Sequence, residues 1–106
     1  MSARTLEQIA QRQARRRRFN ERLATLDPYA DFAPFRCECG LIACSAAIRL
    51  SASEYAEVRS DPRWFAVAAG HVTPEADRVV ATGSGWVTVE GPLPSGAAEP
   101  VPSRPR

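Results

Sequence analysis

Several features are missing from this 106-residue chain, and each absence argues against a class of protein. No apolar run reaches the roughly 18 residues that a membrane-spanning helix needs, so we expect no membrane span. The N-terminal sequence lacks the apolar segment of a secretory signal, which favours a cytoplasmic protein. Lysine is absent, and all 14 basic residues are arginine. With one histidine in the chain, a metal ligand and a catalytic base cannot both be histidines.

All three cysteines lie within residues 37–44, which we call the cysteine knuckle. An odd number of thiols cannot all form disulfides, and in a reducing compartment cysteines are more often metal ligands or catalytic groups. Cys37 and Cys39 are two residues apart, so in an extended segment both side chains point the same way. Cys39 and Cys44 bracket four residues, and His71 follows a glycine after an apolar stretch.

Three thiolates and one imidazole are the ligand set of a closed, tetrahedral zinc site. The sequence therefore predicts a structural zinc ion held by Cys37, Cys39, Cys44 and His71, with no coordination position left for a substrate. Gly40 is expected to give the backbone freedom for a tight turn around the metal.

Other interpretations of this group stay open. Thiolates at this density are also able to hold an iron–sulfur cluster. In another interpretation the cysteines are buried or incidental, the histidine lies at the surface, and no metal is bound. A catalytic Cys–His pair is disfavoured, because spacing suggests no third group to orient the histidine. Glu38, between two predicted ligands, is expected on the outer face of the knuckle and is a poor candidate for a catalytic acid.

The charge is unevenly distributed. Residues 1–27 carry a net charge of +4, residues 28–90 carry −3, and residues 91–106 carry +1. A basic arm on a mildly acidic body indicates an anionic partner for the arm. The arginines predicted to bind this partner are Arg12, Arg15, Arg16, Arg17, Arg18 and Arg22. This pattern is compatible with a helix that contacts the phosphates of a nucleic acid. It is equally compatible with a helix face that is simply solvated.

Residues 1–27 predict a basic amphipathic helix over about residues 6–26. A capping box at Thr5 and Gln8 opens it, and Asp27-Pro28 ends it. Four consecutive arginines, residues 15–18, interrupt its apolar stripe. We therefore expect the first half of the helix to project, while Phe19, Leu23 and Leu26 dock on the body.

Residues 28–90 predict a zinc-binding α+β domain. An extended linker over residues 28–36 leads to the cysteine knuckle, and residues 46–50 form a strand. A capping box at Ser51 and Glu54 opens a short helix over residues 52–59. Residues 64–67 form a buried strand that leads to His71, and residues 78–82 and 86–90 form a β-hairpin. Residues 91–106 are rich in proline and predict a disordered tail.

The cysteine framework also resembles a known group of sequences. Its matching positions are Cys37, Cys39, Gly40, Cys44, Gly70 and His71. With the preceding helix, residues 19–90 resemble small proteins of GC-rich bacteria that have no established activity. The resemblance implies a Cys₃His zinc-binding domain and names no function. Ala69 stands where the group is expected to have proline, which should loosen the turn without removing the ligand.

These observations favour a non-enzymatic, cytoplasmic binding or regulatory module with one structural zinc. A protein or nucleic-acid partner is expected on residues 6–26, and no membrane or small-molecule substrate is expected. The competing hypotheses are a nucleic-acid-binding protein and a thiol redox switch with labile zinc or an iron–sulfur cluster.

Overall fold

The structure is a computed structural model that describes residues 2–94. Its elements in chain order are α1 (Ala3–Leu26), β1 (Ala33–Arg36), β2 (Ala47–Leu50), α2 (Ala52–Val58), β3 (Trp64–Ala68), β4 (Arg78–Thr82) and β5 (Trp86–Glu90). The predicted α+β class is confirmed, with its N-terminal helix, short helix and β-hairpin. Most of the tail predicted to be disordered, residues 95–106, lies outside the described residues.

The helix α1 begins earlier than predicted. Ser2 is its N-cap, because the Ser2 hydroxyl accepts a hydrogen bond from the Thr5 backbone N–H at 3.1 Å. The predicted capping box at Thr5 and Gln8 is therefore wrong, and Thr5 lies inside the first turn. The helix ends at Leu26 before Asp27-Pro28, as predicted. Within residues 2–94, no helix combines the length and apolar character needed to cross a bilayer.

The strands form two antiparallel sheets. In the first, β1 pairs with β2, with Ala33 opposite Leu50. The segment predicted as a linker therefore ends in a strand, which Pro34 and its short length hid from the sequence pattern. In the second sheet, β5 lies between β3 and β4. Gly85 has a φ of +82° in the turn between β4 and β5, a conformation that favours glycine.

Strand β3 contributes to two apolar clusters, because neighbouring side chains of a strand point to opposite faces. The first cluster contains Phe35, Ile48, Leu50, Tyr55, Val58, Ala66 and Trp86. The second contains Cys37, Cys39, Phe65, Val67 and Val89. The cysteine knuckle is thus part of the core.

The first half of α1 packs on the body, contrary to the expectation that it projects. Ile9, Ala10 and Gln13 are buried, and Gln13 Nε2 donates to Asp77 Oδ1 at 2.9 Å. Leu26 is instead 81% exposed. The expectation failed because the arginine run was taken to interrupt the packed face, whereas Arg16 and Arg17 in that run donate to backbone oxygens of the body.

The second half of α1 docks only in part. Leu23 packs against the first cluster, as expected. Phe19 is 40% exposed, and the Arg36 guanidinium lies 4.8 Å from its ring centroid. The end of the helix therefore leaves an apolar surface open beside arginines.

Candidate metal centre

The four predicted ligand residues converge in the structure. One ligand atom from each of Cys37, Cys39, Cys44 and His71 lies within 4.8 Å of the others, so the group is able to hold a metal ion. His71 Nδ1 is 3.5 Å from the sulfurs of Cys37 and Cys44 and 3.9 Å from that of Cys39. Cys37 and Cys39 are buried, and Cys44 is half-buried.

Backbone hydrogen bonds hold the start of the knuckle between the two sheets. The Cys37 N–H donates to Ala46 O at 2.9 Å, just before β2. The Glu38 N–H donates to Ala66 O in β3 at 2.8 Å. This extended path places Cys37 and Cys39 on one side, as their spacing predicts.

A tight turn after β3 brings in the histidine. The His71 N–H donates to Ala68 O at 2.9 Å, and Gly70 in this turn has a φ of +88°. Glycine adopts this conformation without strain, which explains its place immediately before the ligand. The same turn lets the Ala68 N–H donate to Cys37 Sγ at 3.1 Å.

Interactions among the free thiols shift their pKa values in different directions. The hydrogen bond between Cys37 and Cys39 lowers the pKa of the Cys39 thiol and raises that of Cys37. Hydrogen bonds from Cys44 and His71 add to the lowering at Cys39. These hydrogen bonds therefore favour the thiolate form of Cys39, the form in which cysteine binds metals.

Gly40 has a different role from the one predicted. Its φ is not positive, since the only residues with positive φ in the described chain are Gly70 and Gly85. A Cβ at residue 40 would instead overlap the Ile9 Cγ2 methyl group of α1. Gly40 is thus required for the close approach of the helix to the knuckle.

Three of the six arginines predicted to bind a partner face the body. Arg12 and Arg16 donate to backbone oxygens of the knuckle. Arg17 donates to Asp61 O and Trp64 O, both at 2.8 Å, and pairs with Glu21 at 3.0 Å. These side chains are therefore unavailable to a partner that binds the protein in this conformation.

The other three predicted arginines, Arg15, Arg18 and Arg22, are exposed. Within residues 2–94 none of them forms an ion pair or a side-chain hydrogen bond. Their spacing of three and four residues places them on one outer face of α1.

Glu38 lies at the centre of a buried hydrogen-bond network, so its expected place on the outer face is wrong. Its side chain is fully buried. Glu38 Oε2 accepts from Asn20 Nδ2 at 2.8 Å and from the Tyr55 hydroxyl at 2.5 Å, and Oε1 accepts from the Ala66 N–H at 2.9 Å.

Burial alters the ionisation of this network. It raises the pKa of Glu38 to about 7, although the hydrogen bonds from Tyr55, Asn20 and Ala66 oppose the rise. Burial and the nearby Glu38 carboxylate likewise raise the pKa of the Tyr55 hydroxyl. Strand alternation indicates that Glu38 points away from the side that carries the cysteines. Only the positions of α1 and α2 show that the side towards which Glu38 points is covered.

Comparisons of the chain with models of protein families, with curated proteins and with solved structures found no match.

Proposed function

We propose that this protein is a small, non-enzymatic zinc-binding module that binds a macromolecular partner through α1. One structural zinc ion is held by Cys37, Cys39, Cys44 and His71. The separation of the ligand atoms carries this proposal. Tetrahedral zinc, with bonds of about 2.3 Å to sulfur and 2.0–2.1 Å to nitrogen, holds the nitrogen about 3.5–3.6 Å from each sulfur. The distances from His71 Nδ1 to the sulfurs of Cys37 and Cys44, both 3.5 Å, agree with that value, and the distance to the sulfur of Cys39 is longer at 3.9 Å.

The ligand set favours a structural ion over a catalytic one. Four protein ligands fill a tetrahedral coordination shell, and substrate then has no position on the metal. Ligand atoms within 4.8 Å of one another also suit a single ion better than an iron–sulfur cluster, whose ligands are spread over several irons. Thiolate ligation further suits the reducing cytoplasm.

The outer face of α1 is the proposed contact with the partner. Arg15, Arg18 and Arg22 are exposed there and are not neutralised by carboxylates within residues 2–94. A nucleic acid or an acidic protein surface has the complementary charge. We propose an adaptor or regulatory role for this surface, with zinc keeping the helix in place.

A thiol redox switch is a second candidate, because the site is not fully closed to solvent. Cys44 is half-buried, and the neighbouring Leu41 and Ile42 are 47% and 79% exposed. An oxidant that reaches Cys44 would convert a metal-binding thiolate to a form that no longer holds zinc. Release of zinc by peroxide at low molar excess would favour this function, and retention under strong oxidant would remove it.

Metal analysis of the protein purified without added metal tests the proposal. We expect one zinc per chain and a colourless solution, and loss of the metal in Cys39→Ser and His71→Ala. Ser45→Ala, next to the site and exposed, is the control and should retain zinc. A brown, iron-containing protein would show that the site holds an iron–sulfur cluster instead of zinc. A metal-free wild-type protein would reject the proposal.

A further inference from the structure

Two arginines of α1 hold the turn of the cysteine knuckle. Arg12 Nε donates to Gly40 O at 2.8 Å. Arg16 Nη1 donates to Cys39 O at 2.6 Å and to Leu41 O at 2.8 Å, and its Nη2 reaches Ile42 O at 3.4 Å. The two side chains thus bind the consecutive carbonyl groups of residues 39–42, which lead from the second cysteine towards the third.

Arg16 also approaches a predicted metal ligand directly. Its Nη1 lies 3.8 Å from Cys39 Sγ, within reach of an N–H to sulfur hydrogen bond. Divalent zinc with three thiolates and a neutral imidazole carries a net charge of −1. A guanidinium beside Cys39 offsets part of that charge. Its planar array of donors also lets one side chain bind several carbonyls, which lysine cannot do in the same way.

Helix α1 fits closely over this turn. Arg12 and Arg16 are half-buried, and the Ile9 side chain occupies the space that a side chain on Gly40 would need. The knuckle therefore takes its shape from the helix as well as from its ligands. Groups that orient metal ligands in this way affect the affinity of the site for the metal, although they do not contact the metal themselves.

We propose that Arg12 and Arg16 are positioning residues of the metal centre and couple the docking of α1 to metal binding. The helix holds the knuckle in the shape that the metal needs, and the bound metal holds the knuckle in the shape to which the arginines bind. Such coupling is reciprocal, so a partner that draws α1 away from the body also weakens metal binding. This inference rests on the proposed function, because it requires that the wild-type chain bind zinc.

Competition for zinc between the full chain and a chromophoric chelator tests the coupling. Substitution of a group that orients metal ligands typically costs about 10–100-fold in affinity, and we expect a loss in this range for Arg16→Gln. Arg16→Lys keeps the charge but loses the planar array, so its affinity should lie between those of Arg16→Gln and the wild type. Arg15→Gln makes the same charge change on the exposed side and should bind zinc as the wild type does.

Cobalt substitution gives a readout that a loss of stability alone would not change. The thiolate-to-cobalt absorption band should shift in Arg16→Gln, because Cys39 loses the guanidinium N–H donor, and should stay in place in Arg15→Gln. Should Arg16→Gln fail to fold with zinc, Arg16→Lys and Arg12→Gln decide by the same affinity comparison.

Two failures are distinguishable. Absence of zinc from the wild-type protein rejects the proposed function before any variant is compared. Wild-type zinc binding, together with Arg12 and Arg16 variants that bind within about twofold of Arg15→Gln, rejects the coupling alone.

Discussion

Glu38 carries a carboxylate between two candidate metal ligands, Cys37 and Cys39, and points away from both of them. Three donors, from Asn20, Tyr55 and Ala66, converge on its oxygens. They belong to α1, α2 and β3, so this one side chain joins the knuckle to three elements. A carboxylate suits the position because both oxygens accept, whereas an amide side chain has one accepting end.

Glu38→Gln should therefore destabilise the zinc-loaded protein. Its oxygen is able to face Asn20 and Tyr55, but its NH₂ group then faces the Ala66 N–H, and that buried donor loses its acceptor. An unsatisfied buried donor costs about 1–3 kcal/mol in the free energy of unfolding. Urea denaturation measures the loss. The exposed Glu75→Gln is the control, and equal stability of the two variants would contradict the role given to Glu38.

Gly40→Ala should destabilise the protein by about 1–3 kcal/mol through overpacking. The new methyl group meets Ile9, so the penalty should shrink in the double variant with Ile9→Ala, and a double-mutant cycle in urea measures this coupling. Gly85→Ala provides the contrast: its cost comes from a φ of +82°, and Ile9→Ala should not relieve it. Strictly additive costs for Gly40→Ala and Ile9→Ala would contradict the close approach of α1.

At the scale of elements, α1 has two basic faces with different roles. Arg12, Arg16 and Arg17 face the body and bind backbone oxygens, while Arg15 and Arg18 face outwards. Helical periodicity predicted that the arginines of residues 15–18 interrupt the apolar stripe of the helix. It could not predict which of them turn inwards, because the acceptors lie 23 to 47 residues further along the chain.

The sequence predicted the grouping of the four candidate ligands more readily than the docking of the helix. Thiol and imidazole groups have few roles at this spacing, so Cys37, Cys39, Cys44 and His71 were identifiable without a structure. Strand β1 was not, because it has only four residues and includes Pro34. The burial of Gln13 was missed for a related reason, since periodicity counts apolar residues and the acceptor, Asp77, lies 64 residues away.

If the partner is a nucleic acid, the outer arginines should dominate binding. Replacing Arg15, Arg18 and Arg22 together by Gln removes up to three phosphate contacts, and each contributes about 0.9 to the slope of log affinity against log salt on duplex DNA. We expect weaker binding and a slope reduced by up to about 2.7 in magnitude. Fluorescence anisotropy with a labelled duplex at several salt concentrations measures both.

The matched control replaces three exposed arginines of the body, Arg49, Arg59 and Arg78, by Gln. It makes the same change in net charge, so a specific role for α1 requires a much smaller effect here. Equal losses in the two triple variants would indicate a general charge effect. Salt-insensitive binding would exclude phosphate contacts and favour a protein partner.

At the scale of the whole molecule, the metal centre forms part of the core. Two of the five members of the second cluster, Cys37 and Cys39, also belong to the group that is able to hold a metal ion. The knuckle contacts Ala46, just before β2, and strand β3 through its backbone, and it contacts α1 through Arg12 and Arg16. Loss of the metal should therefore disturb both sheets and the helix together.

Chelation of zinc should accordingly unfold the protein. Structural zinc contributes about 10–16 kcal/mol in comparable small sites, which is as large as the total stability of about 5–15 kcal/mol that folded proteins usually have. We expect a chelator at neutral pH to abolish the cooperative thermal transition seen by circular dichroism, and added zinc to restore it. Because protons compete with zinc for the thiolates, acid should have the same effect. A chelated chain that still melts cooperatively would show instead that the two apolar clusters suffice for folding, and zinc would then have a role other than a structural one.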